Sequence, residues 1–274
     1  MKKHVWAFVL CGFLVTLLTG LAATAQSPGS AFSDPASIHD MPESWKTQPI
    51  QYDPSIGKAD IVIHFNRQVY QALRPVVEKF GKENDLKIVT TRSTCGITAG
   101  VLKNKKADIG MYCCPPGKTD RLPGLSFHTV GISPIALLVH PENSVNDITF
   151  DQARQIFKGE IHRWSDVKDS KGIPGRNVPI QVITRRHCKK RPGHWKLLLE
   201  ESDLFSPKLQ EVGAIPDMIH LVASNTASVG YEVMQMVHEM EDKGEVKPLK
   251  IDGLSPTVAA NVLSAQYPLY RTYT

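Results

Sequence analysis

The chain has 274 residues, of which 42% are hydrophobic and 22% are charged, and its formal net charge is +5. This composition is ordinary for a globular protein and excludes the collagen-like, low-complexity and disordered classes. The charge is small for the length of the chain, so we expect no nucleic-acid partner.

The amino terminus predicts a secretory signal peptide over residues 1–25. Lys2 and Lys3 precede an apolar run, which is followed by the small residues Ala23-Thr24-Ala25. The apolar run is shorter than the roughly 20 residues that a transmembrane anchor needs. We therefore expect cleavage after residue 25, a periplasmic location and no transmembrane segment in the mature chain. Cleavage leaves four cysteines, which are Cys95, Cys113, Cys114 and Cys188.

The first part of the mature chain predicts an arm followed by alternating strands and helices. Residues 26–58 are rich in Ser, Pro and Gly, which is typical of a tether or a wrapping arm. Asn66 is a suitable cap for the first long helix, and Pro75 should kink or shorten that helix. The predicted strands are 60–64, 86–91 and 107–112, and the predicted helices are 66–80 and 98–103.

The second part of the chain continues the same alternation. The sequence Thr149-Phe150-Asp151-Gln152 predicts a capping box at the start of a helix that ends near Gly159. The other predicted elements are an apolar stretch over 129–140, strands at 178–184, 227–233 and 246–251, helices at 194–201 and 257–263, and an extended tail from 267. Short strands that alternate with amphipathic helices predict an α/β fold with a mainly parallel sheet.

Five sequence segments, in a fixed order along the chain, are typical of one protein family. They are ADIGM at 107–111, ITFDQARQIFKGEIHRWSDV at 148–167, VPIQVITR at 178–185, SVGYEV at 228–233 and YPLYRTY at 267–273. In this order they resemble the phosphate-binding proteins of bacterial ABC uptake systems. The resemblance implies the type II periplasmic binding-protein fold, with two α/β lobes, mixed and mainly parallel sheets, and a hinged cleft. It places residues 59–134 and 225–274 in lobe 1 and residues 135–224 in lobe 2.

The resemblance also implies a function. Such a protein is exported, captures a small ligand between its lobes and presents it to an ABC permease or a sensor. The ligand groups come from strand-to-helix loops, where helix N-termini direct backbone N–H groups at an anion. Those loops are 64–67, 92–98, 112–116 and 185–194. We expect no enzymatic activity, because the sequence has neither a G-x-S-x-G elbow nor an H-E-x-x-H motif.

The four loops depart from the family, which normally places small hydroxyl and glycine residues there. Cysteine, histidine and basic residues replace them, so the phosphate-binding residues do not carry over one by one. A small oxyanion held by charge-assisted hydrogen bonds, or a thiophilic species, is the ligand expected instead. The residues expected to contact it are His64, Asn66, Arg67, Thr94, Cys95, Gly96, Cys113, Cys114, Lys189, Lys190 and Arg191.

The cysteines of the mature chain all fall in the predicted cleft loops and leave two further interpretations open. They could be structural thiols or disulfides, and four cysteines allow three pairings. They could instead bind a metal ion or an iron–sulfur centre in a redox or metal-handling protein, since soft and borderline ions prefer thiolate and imidazole ligands. Against a single-ion site, adjacent cysteines should not both point at one ion without a distorted backbone. The candidate metal ligands are Cys95, Cys113, Cys114, Cys188, His64, His187 and His194.

Overall fold

The computed structural model describes residues 37–187 and 193–274. The predicted signal peptide, the first part of the predicted arm, and the loop residues Cys188, Lys189, Lys190 and Arg191 lie outside the described residues. Across the two described ranges, no helix combines the length and the apolar character that crossing a bilayer requires.

Helices and strands alternate through most of the described chain. The α-helices are α1 (Glu43–Thr47), α2 (Arg67–Glu83), α3 (Cys95–Lys103), α4 (Phe150–Lys158), α5 (Ile215–Ala223), α6 (Met234–Glu239) and α7 (Ala259–Leu263). The strands are β1 (Ile61–Asn66), β2 (Ile88–Ser93), β3 (Ile109–Gly110), β4 (Gly131–Val139), β5 (Asp147–Ile148), β6 (Gln181–Thr184), β7 (Gln210–Glu211), β8 (Ser228–Val233), β9 (Lys247–Pro248), β10 (Lys250–Ile251) and β11 (Tyr270–Tyr273).

The first sheet has three parallel strands in the order β2-β1-β3. Asn66 ends β1 and caps α2 as predicted, because its side-chain oxygen accepts the backbone N–H of Gln68 at 2.9 Å. The helix then runs through Pro75 for 17 residues, so the expected shortening is wrong. Both Pro75 and Gln71, whose carbonyl loses its helical donor, are exposed, and water can satisfy that carbonyl.

The largest sheet has six strands in the order β11-β4-β8-β6-β7, with β9 also paired to β4. β4 is antiparallel to β8, β9 and β11, whereas β6 is parallel to β7 and β8. A third small sheet pairs β5 with β10 in parallel. Among the described residues, five of the eight strand pairings are parallel, which confirms the α/β class with mixed, mainly parallel sheets.

Two separate clusters of buried apolar side chains form the cores. The smaller core surrounds the first sheet and includes Phe65, whereas the larger core surrounds the six-stranded sheet and includes Phe157. The larger core also takes side chains from 229–269, a stretch that the sequence assigned to lobe 1, while Tyr273 joins the smaller core. The lobe boundaries themselves stay a prediction.

The described part of the predicted arm lies against the first sheet. Trp45 in α1 donates its indole N–H to the carbonyl oxygen of Lys103 at 2.6 Å. The ammonium of Lys105 lies 4.4 Å from the centroid of the Trp45 ring and donates to the carbonyl of Gln48 at 2.7 Å. Residues 37–58 therefore wrap the smaller core. The side chains that pack on that core are Met41, Trp45, Tyr52 and Ile56.

Apart from shifts of a few residues at the ends of other elements, three predicted elements differ from the structure. The helix expected at 194–201 is a 3-10 turn over His194–Leu197, which the indole N–H of Trp195 anchors to the carbonyl of His187 at 2.8 Å. β3 is shorter than expected because Tyr112 exchanges backbone hydrogen bonds with Thr274 instead of continuing along β1. The strand expected at 246–251 is divided into β9 and β10, because the chain leaves β4 there to pair with β5.

Candidate functional site

The carboxyl edge of the first sheet gathers three cysteines and one asparagine from three loops. Asn66 ends β1, Cys95 opens α3 after β2, and Cys113 and Cys114 follow β3. Thr94 caps α3, so this helix begins three residues earlier than predicted and carries the first cysteine in its first turn. Parallel strands end at a common edge, so the four side chains come together where ligands bind in α/β folds.

Cys95, Cys113 and Cys114 form a group that we call the thiol cluster. The Sγ atom of Cys113 lies 3.3 Å from that of Cys95 and 3.8 Å from that of Cys114. All three sulfurs lie within 4.8 Å of one another, and all three side chains are buried. The expectation that adjacent cysteines would not face one point is wrong. The chain bends at Cys113 and Cys114 without positive φ angles, and this bend turns consecutive side chains to the same side.

Two nitrogen donors contact the sulfur of Cys95. Asn66 Nδ2 lies 3.2 Å from it, and the backbone N–H of Cys113 donates to it at 3.3 Å. The hydrogen bond with Cys113 lowers the pKa of the Cys95 thiol. The hydrogen bond with Cys114 and the burial of the side chain have the larger combined effect and raise this pKa to about 11. Hydrogen bonds with Cys114 and Cys95, together with burial, also raise the pKa of Cys113 well above its usual value. The site therefore favours the protonated forms of Cys95 and Cys113 unless a cation binds beside them.

Arg271 of β11 lies within electrostatic reach of the thiol cluster. It is 5% exposed, and its Nε and Nη1 atoms have no hydrogen-bond partner. Burial opposes its charge, but Cys114 and Cys113 act in the other direction and the pKa of Arg271 is raised. Burying a guanidinium whose N–H groups have no acceptor costs folding free energy. A negatively charged group beside Arg271 would offset this cost.

A second group of buried polar residues joins the end of β6 to β8. The guanidinium of Arg185 donates to the carboxylate of Glu232 at 2.8 Å, and Nδ1 of His194 lies 3.4 Å from the other carboxylate oxygen. His187 places Nδ1 3.0 Å from the carbonyl oxygen of Arg185, and its ring contacts that of His194 edge to face at 5.1 Å. Burial and then the charge of Arg185 lower the pKa of His187. Glu232 thus neutralises Arg185.

The structure brings only some of the predicted ligand residues together. Asn66 and the thiol cluster meet, whereas Arg67, Thr94 and Gly96 are exposed at the starts of α2 and α3. His64 lies within β1 with Nδ1 unpartnered, and it is not part of the sulfur group. Within the described ranges, the residues close enough to share one ion are the three cysteines.

The sequence reasoning missed Arg271 and Glu232 as parts of this region. Both lie in segments already singled out, YPLYRTY and SVGYEV. Every residue of β8 is buried, so a glutamate in that apolar strand requires a partner. A charged residue inside an otherwise apolar strand is the signal that would have identified Glu232, whereas β11 alternates buried and half-buried residues and gives no such signal for Arg271.

Comparisons with known proteins agree with this architecture. Residues 54–274 match the family model described as PBP superfamily domain. The phosphate-binding protein PstS 2 of Streptococcus agalactiae is 29% identical over 119 residues, which are 42% of this chain and 40% of that protein. The phosphate-binding protein PstS of Bacillus subtilis is 26% identical over 144 residues, which are 52% of this chain and 44% of that protein. The chain thus matches less than half the length of these curated relatives.

Two solved structures share the fold. A putative phosphate ABC transporter substrate-binding protein from Clostridium perfringens, with bound phosphate, has a TM-score of 0.61 and 23% identity over 78% of this chain and 84% of that chain. An ABC-type phosphate transport receptor from Vibrio cholerae has a TM-score of 0.58 and 22% identity over 78% of this chain and 85% of that chain. The predicted two-lobed periplasmic binding-protein fold is confirmed.

Proposed function

Because the chain belongs to the PBP superfamily domain family, we propose that it is an exported solute-binding protein. It captures one small ligand between its two lobes and presents the ligand to an ABC permease or a sensor. The names of the curated relatives, which are phosphate-binding proteins, support a role in binding rather than in catalysis. The predicted signal peptide supports a periplasmic location.

The observation that carries this proposal is the buried Arg271, whose Nε and Nη1 atoms are unpartnered and which lies within electrostatic reach of the thiol cluster. Ligands of open α/β folds bind outside the carboxyl ends of the strands, and the cluster lies at that edge of the first sheet. A buried cation with two unpartnered nitrogen atoms suits a ligand that brings negative charge. It equally suits a thiophilic species that converts neighbouring thiols to thiolates. The ligand is therefore a small oxyanion or a thiophilic species.

Phosphate itself is a poor candidate. The loops that carry hydroxyl and glycine residues in the family carry Cys95, Cys113 and Cys114 here. A thiol is a weak hydrogen-bond donor, so replacing hydroxyls with thiols removes much of the attraction for phosphate oxygens. We therefore expect phosphate to bind more weakly than the ligand for which the site is built.

An equilibrium titration followed by tryptophan fluorescence tests the receptor function. Reduced protein is titrated with phosphate, arsenate, molybdate and sulfate in one arm, and with Zn²⁺ or Cu⁺ in the other. Trp164 and Trp195 are buried in the larger core, so their emission reports changes in lobe packing. A saturable response with one ligand per chain in either arm supports the proposal. No saturable response in either arm overturns it.

Two arginine variants sharpen this titration. Arg271→Met removes the buried cation and should weaken binding at least tenfold, since charge-assisted contacts are among the strongest polar ones. Arg74→Met removes a cation from the exposed face of α2 and should leave the titration unchanged. Equal titration curves for both variants would show that the ligand binds elsewhere.

A metal- or iron–sulfur-binding protein of redox or metal handling is the second candidate, and the thiol cluster favours it. Such a protein retains its metal through purification, whereas a receptor exchanges its ligand. Elemental analysis and a visible spectrum of anaerobically purified protein separate the two. Tightly held iron with sulfide-to-iron absorption would support the redox protein, and metal-free protein that binds its ligand reversibly would support the receptor.

A further inference from the structure

We propose that the solute captured at the thiol cluster is a single soft metal ion, bound by the thiolates of Cys95, Cys113 and Cys114. This inference rests on the proposed receptor function and names the class of its ligand. The cations that match an all-sulfur set are d¹⁰ ions such as Zn²⁺ and Cu⁺. Arg271 is the positioning residue that balances the excess negative charge of the complex.

The spacing of the sulfurs fits one ion. Two of the three separations are 3.3 Å and 3.8 Å, and the third is no longer than 4.8 Å. In the plane of the three sulfurs, the point equidistant from them lies at most about 2.4 Å from each, close to the length of a zinc–thiolate bond, about 2.3 Å. The three sulfurs can therefore bind one ion with little rearrangement of the backbone.

The charges of the site also fit. Binding of a divalent ion releases three thiol protons to the solvent and leaves a complex of three thiolates and one dication, with a net charge of −1. A monovalent ion bound by the same three thiolates leaves a net charge of −2. Arg271 supplies a positive charge that neutralises the divalent complex and offsets half the charge of the monovalent one, and its Nε and Nη1 atoms have no hydrogen-bond partner. Arg185 is already neutralised by Glu232.

Other metal classes fit less well. Hard cations such as Mg²⁺ and Ca²⁺ require oxygen ligands, and no carboxylate of the described residues joins the group. Iron–sulfur clusters spread their cysteine ligands around several irons, whereas the three sulfurs of the thiol cluster lie within 4.8 Å of one another. Among the described residues, the ligand set is made of sulfur and therefore favours a single soft ion.

The surroundings of Cys95 hold its sulfur in position. Asn66 Nδ2 and the backbone N–H of Cys113 both contact this sulfur, and Asn66 is itself fixed because it caps α2. Outer hydrogen bonds of this kind orient a metal ligand, and their loss typically lowers metal affinity about 10–100-fold. The thiol cluster thus has a supporting shell of polar contacts as well as three ligands.

Metal binding by the full chain is the test. Reduced, metal-free protein competes for Zn²⁺ with a chromogenic chelator, and for Cu⁺ with a second chelator under anaerobic conditions, while native mass spectrometry counts the bound ions. We expect one ion per chain. The three thiols are buried and react with maleimide only through local opening, so we also expect the ion to slow their labelling relative to metal-free wild-type protein, as read by peptide mapping.

Substitutions locate the ion. Cys95→Ser, Cys113→Ser and Cys114→Ser should each weaken binding by more than Arg271→Met, which as an outer-shell change should weaken it about 10–100-fold. Ile97→Ser is the matched control, because Ile97 lies two residues from Cys95 in α3 with its side chain 56% exposed. Its affinity should equal that of the wild type. Maleimide protection in the wild type keeps the test valid if a serine variant fails to fold.

The outcomes separate the two proposals. Binding that survives Cys113→Ser, or an ion that does not slow maleimide labelling of the three cysteines, overturns the thiolate site. If oxyanions bind saturably and neither metal does, the ligand class is wrong while the receptor function stands. If neither class binds, both proposals fall.

Discussion

The guanidinium of Arg185 donates to the carboxylate of Glu232 across 2.8 Å, with only 8% and 1% of the two side chains exposed. The contact joins the end of β6 to β8, and the same carboxylate accepts the backbone N–H of Val233 at 2.9 Å. This arrangement neutralises one of the two buried arginines of the region. Arg271 has no such carboxylate among the described residues, and the thiol cluster lies within its electrostatic reach.

Glu232→Gln should destabilise the protein strongly. The substitution leaves Arg185 buried without a counter-charge, and breaking a buried pair in this way typically costs about 3–5 kcal/mol. Urea denaturation measures the loss. Glu78→Gln is the control, because Glu78 pairs with Arg74 on the exposed face of α2 and its loss should have a much smaller effect.

A double variant checks the cause of that loss. Arg185→Met combined with Glu232→Leu removes both charges and should recover much of the stability lost in Glu232→Gln, because no uncompensated charge remains. A double variant no more stable than the single one would show that the pair matters through packing rather than through charge.

Gly110→Ala should separate α3 from β3. A Cβ atom at Gly110 would lie 2.5 Å from side-chain atoms of Thr98 and Leu102, so the helix must shift. We expect a loss of about 1–3 kcal/mol, typical of overpacking, and weaker metal binding because Cys95 moves with the helix. Gly100→Ala is the control in the same helix, where the added atom meets nothing within 4 Å and should stabilise the helix by about 0.5–1 kcal/mol. Equal effects of the two substitutions on denaturation midpoints would contradict this account.

A mild oxidant should join Cys95 to Cys113 rather than Cys113 to Cys114. The first pair of sulfurs is 3.3 Å apart, and the residues come from different loops. Adjacent residues have Cα atoms about 3.8 Å apart, which is shorter than disulfides normally span. Diamide removes two electrons and two protons from the thiols, and peptide mapping by mass spectrometry identifies the new bond.

Oxidation also has a consequence for the ligand. A disulfide between Cys95 and Cys113 removes two of the three sulfur ligands, so oxidised protein should lose metal binding and regain it on reduction. A cross-link found only within the Cys113–Cys114 peptide would contradict the geometry of the cluster.

Local signals predicted much of the architecture. Thr149 Oγ1 accepts the N–H of Gln152 at 3.0 Å, and Gln152 Oε1 accepts the N–H of Thr149 at 2.9 Å, which is the capping box expected from four consecutive residues. Asn66 also caps α2 as expected. These contacts depend on neighbours in the chain, so the sequence is sufficient to identify them. The convergence of Cys95 with Cys113 was likewise accessible, because parallel strands end at one edge.

The neighbours of Arg271 and Glu232 could not be predicted from local signals. Arg271 lies within electrostatic reach of the thiol cluster because β11 pairs with β4, more than a hundred residues earlier in the chain. Glu232 meets Arg185 because β8 pairs with β6. Long-range pairings of this kind leave no local periodicity. The shared direction of Cys113 and Cys114 depends on a bend that their residue types do not specify.

Acidification should destabilise the protein partly through His64. This side chain is buried in β1 with Nδ1 unpartnered, and burial lowers its pKa. The unfolded chain binds a proton near the usual pKa of about 6.5, whereas the folded chain binds it only at lower pH. The free energy of unfolding is therefore unaffected above this pH and decreases as the pH falls through it.

Substitution of His64 tests that assignment. His64→Gln should reduce the change in urea midpoint between neutral and acidic pH, without abolishing it, because burial also lowers the pKa of His187. His128→Gln, at an exposed position, should leave the pH dependence as it is in the wild type. An unchanged pH dependence in His64→Gln would exclude His64 as the group that titrates.

Asn66 has two roles that different substitutions separate. Its Oδ1 atom accepts the N–H of Gln68 at 2.9 Å and caps α2, while its Nδ2 atom contacts Cys95 Sγ at 3.2 Å. Asn66→Ser retains a capping oxygen and removes the donor, whereas Asn66→Asp retains the cap and places a carboxylate beside the sulfur. Asn66→Ser should therefore fold with stability close to that of the wild type, whereas Asn66→Asp also buries a carboxylate and should be less stable.

The two variants should also differ in the reactivity of Cys95. A donor stabilises the thiolate and a carboxylate repels it, so the rate of alkylation at a fixed pH should decrease in the order wild type, Asn66→Ser, Asn66→Asp. The alkylation rate of Cys95 is divided by that of Cys114 in the same sample. Local opening of the site exposes both thiols, so its effect cancels in this ratio. Metal affinity should follow the same order, with about a 10–100-fold loss when the donor is removed. Equal alkylation ratios in all three proteins would mean that Asn66 acts only as a helix cap.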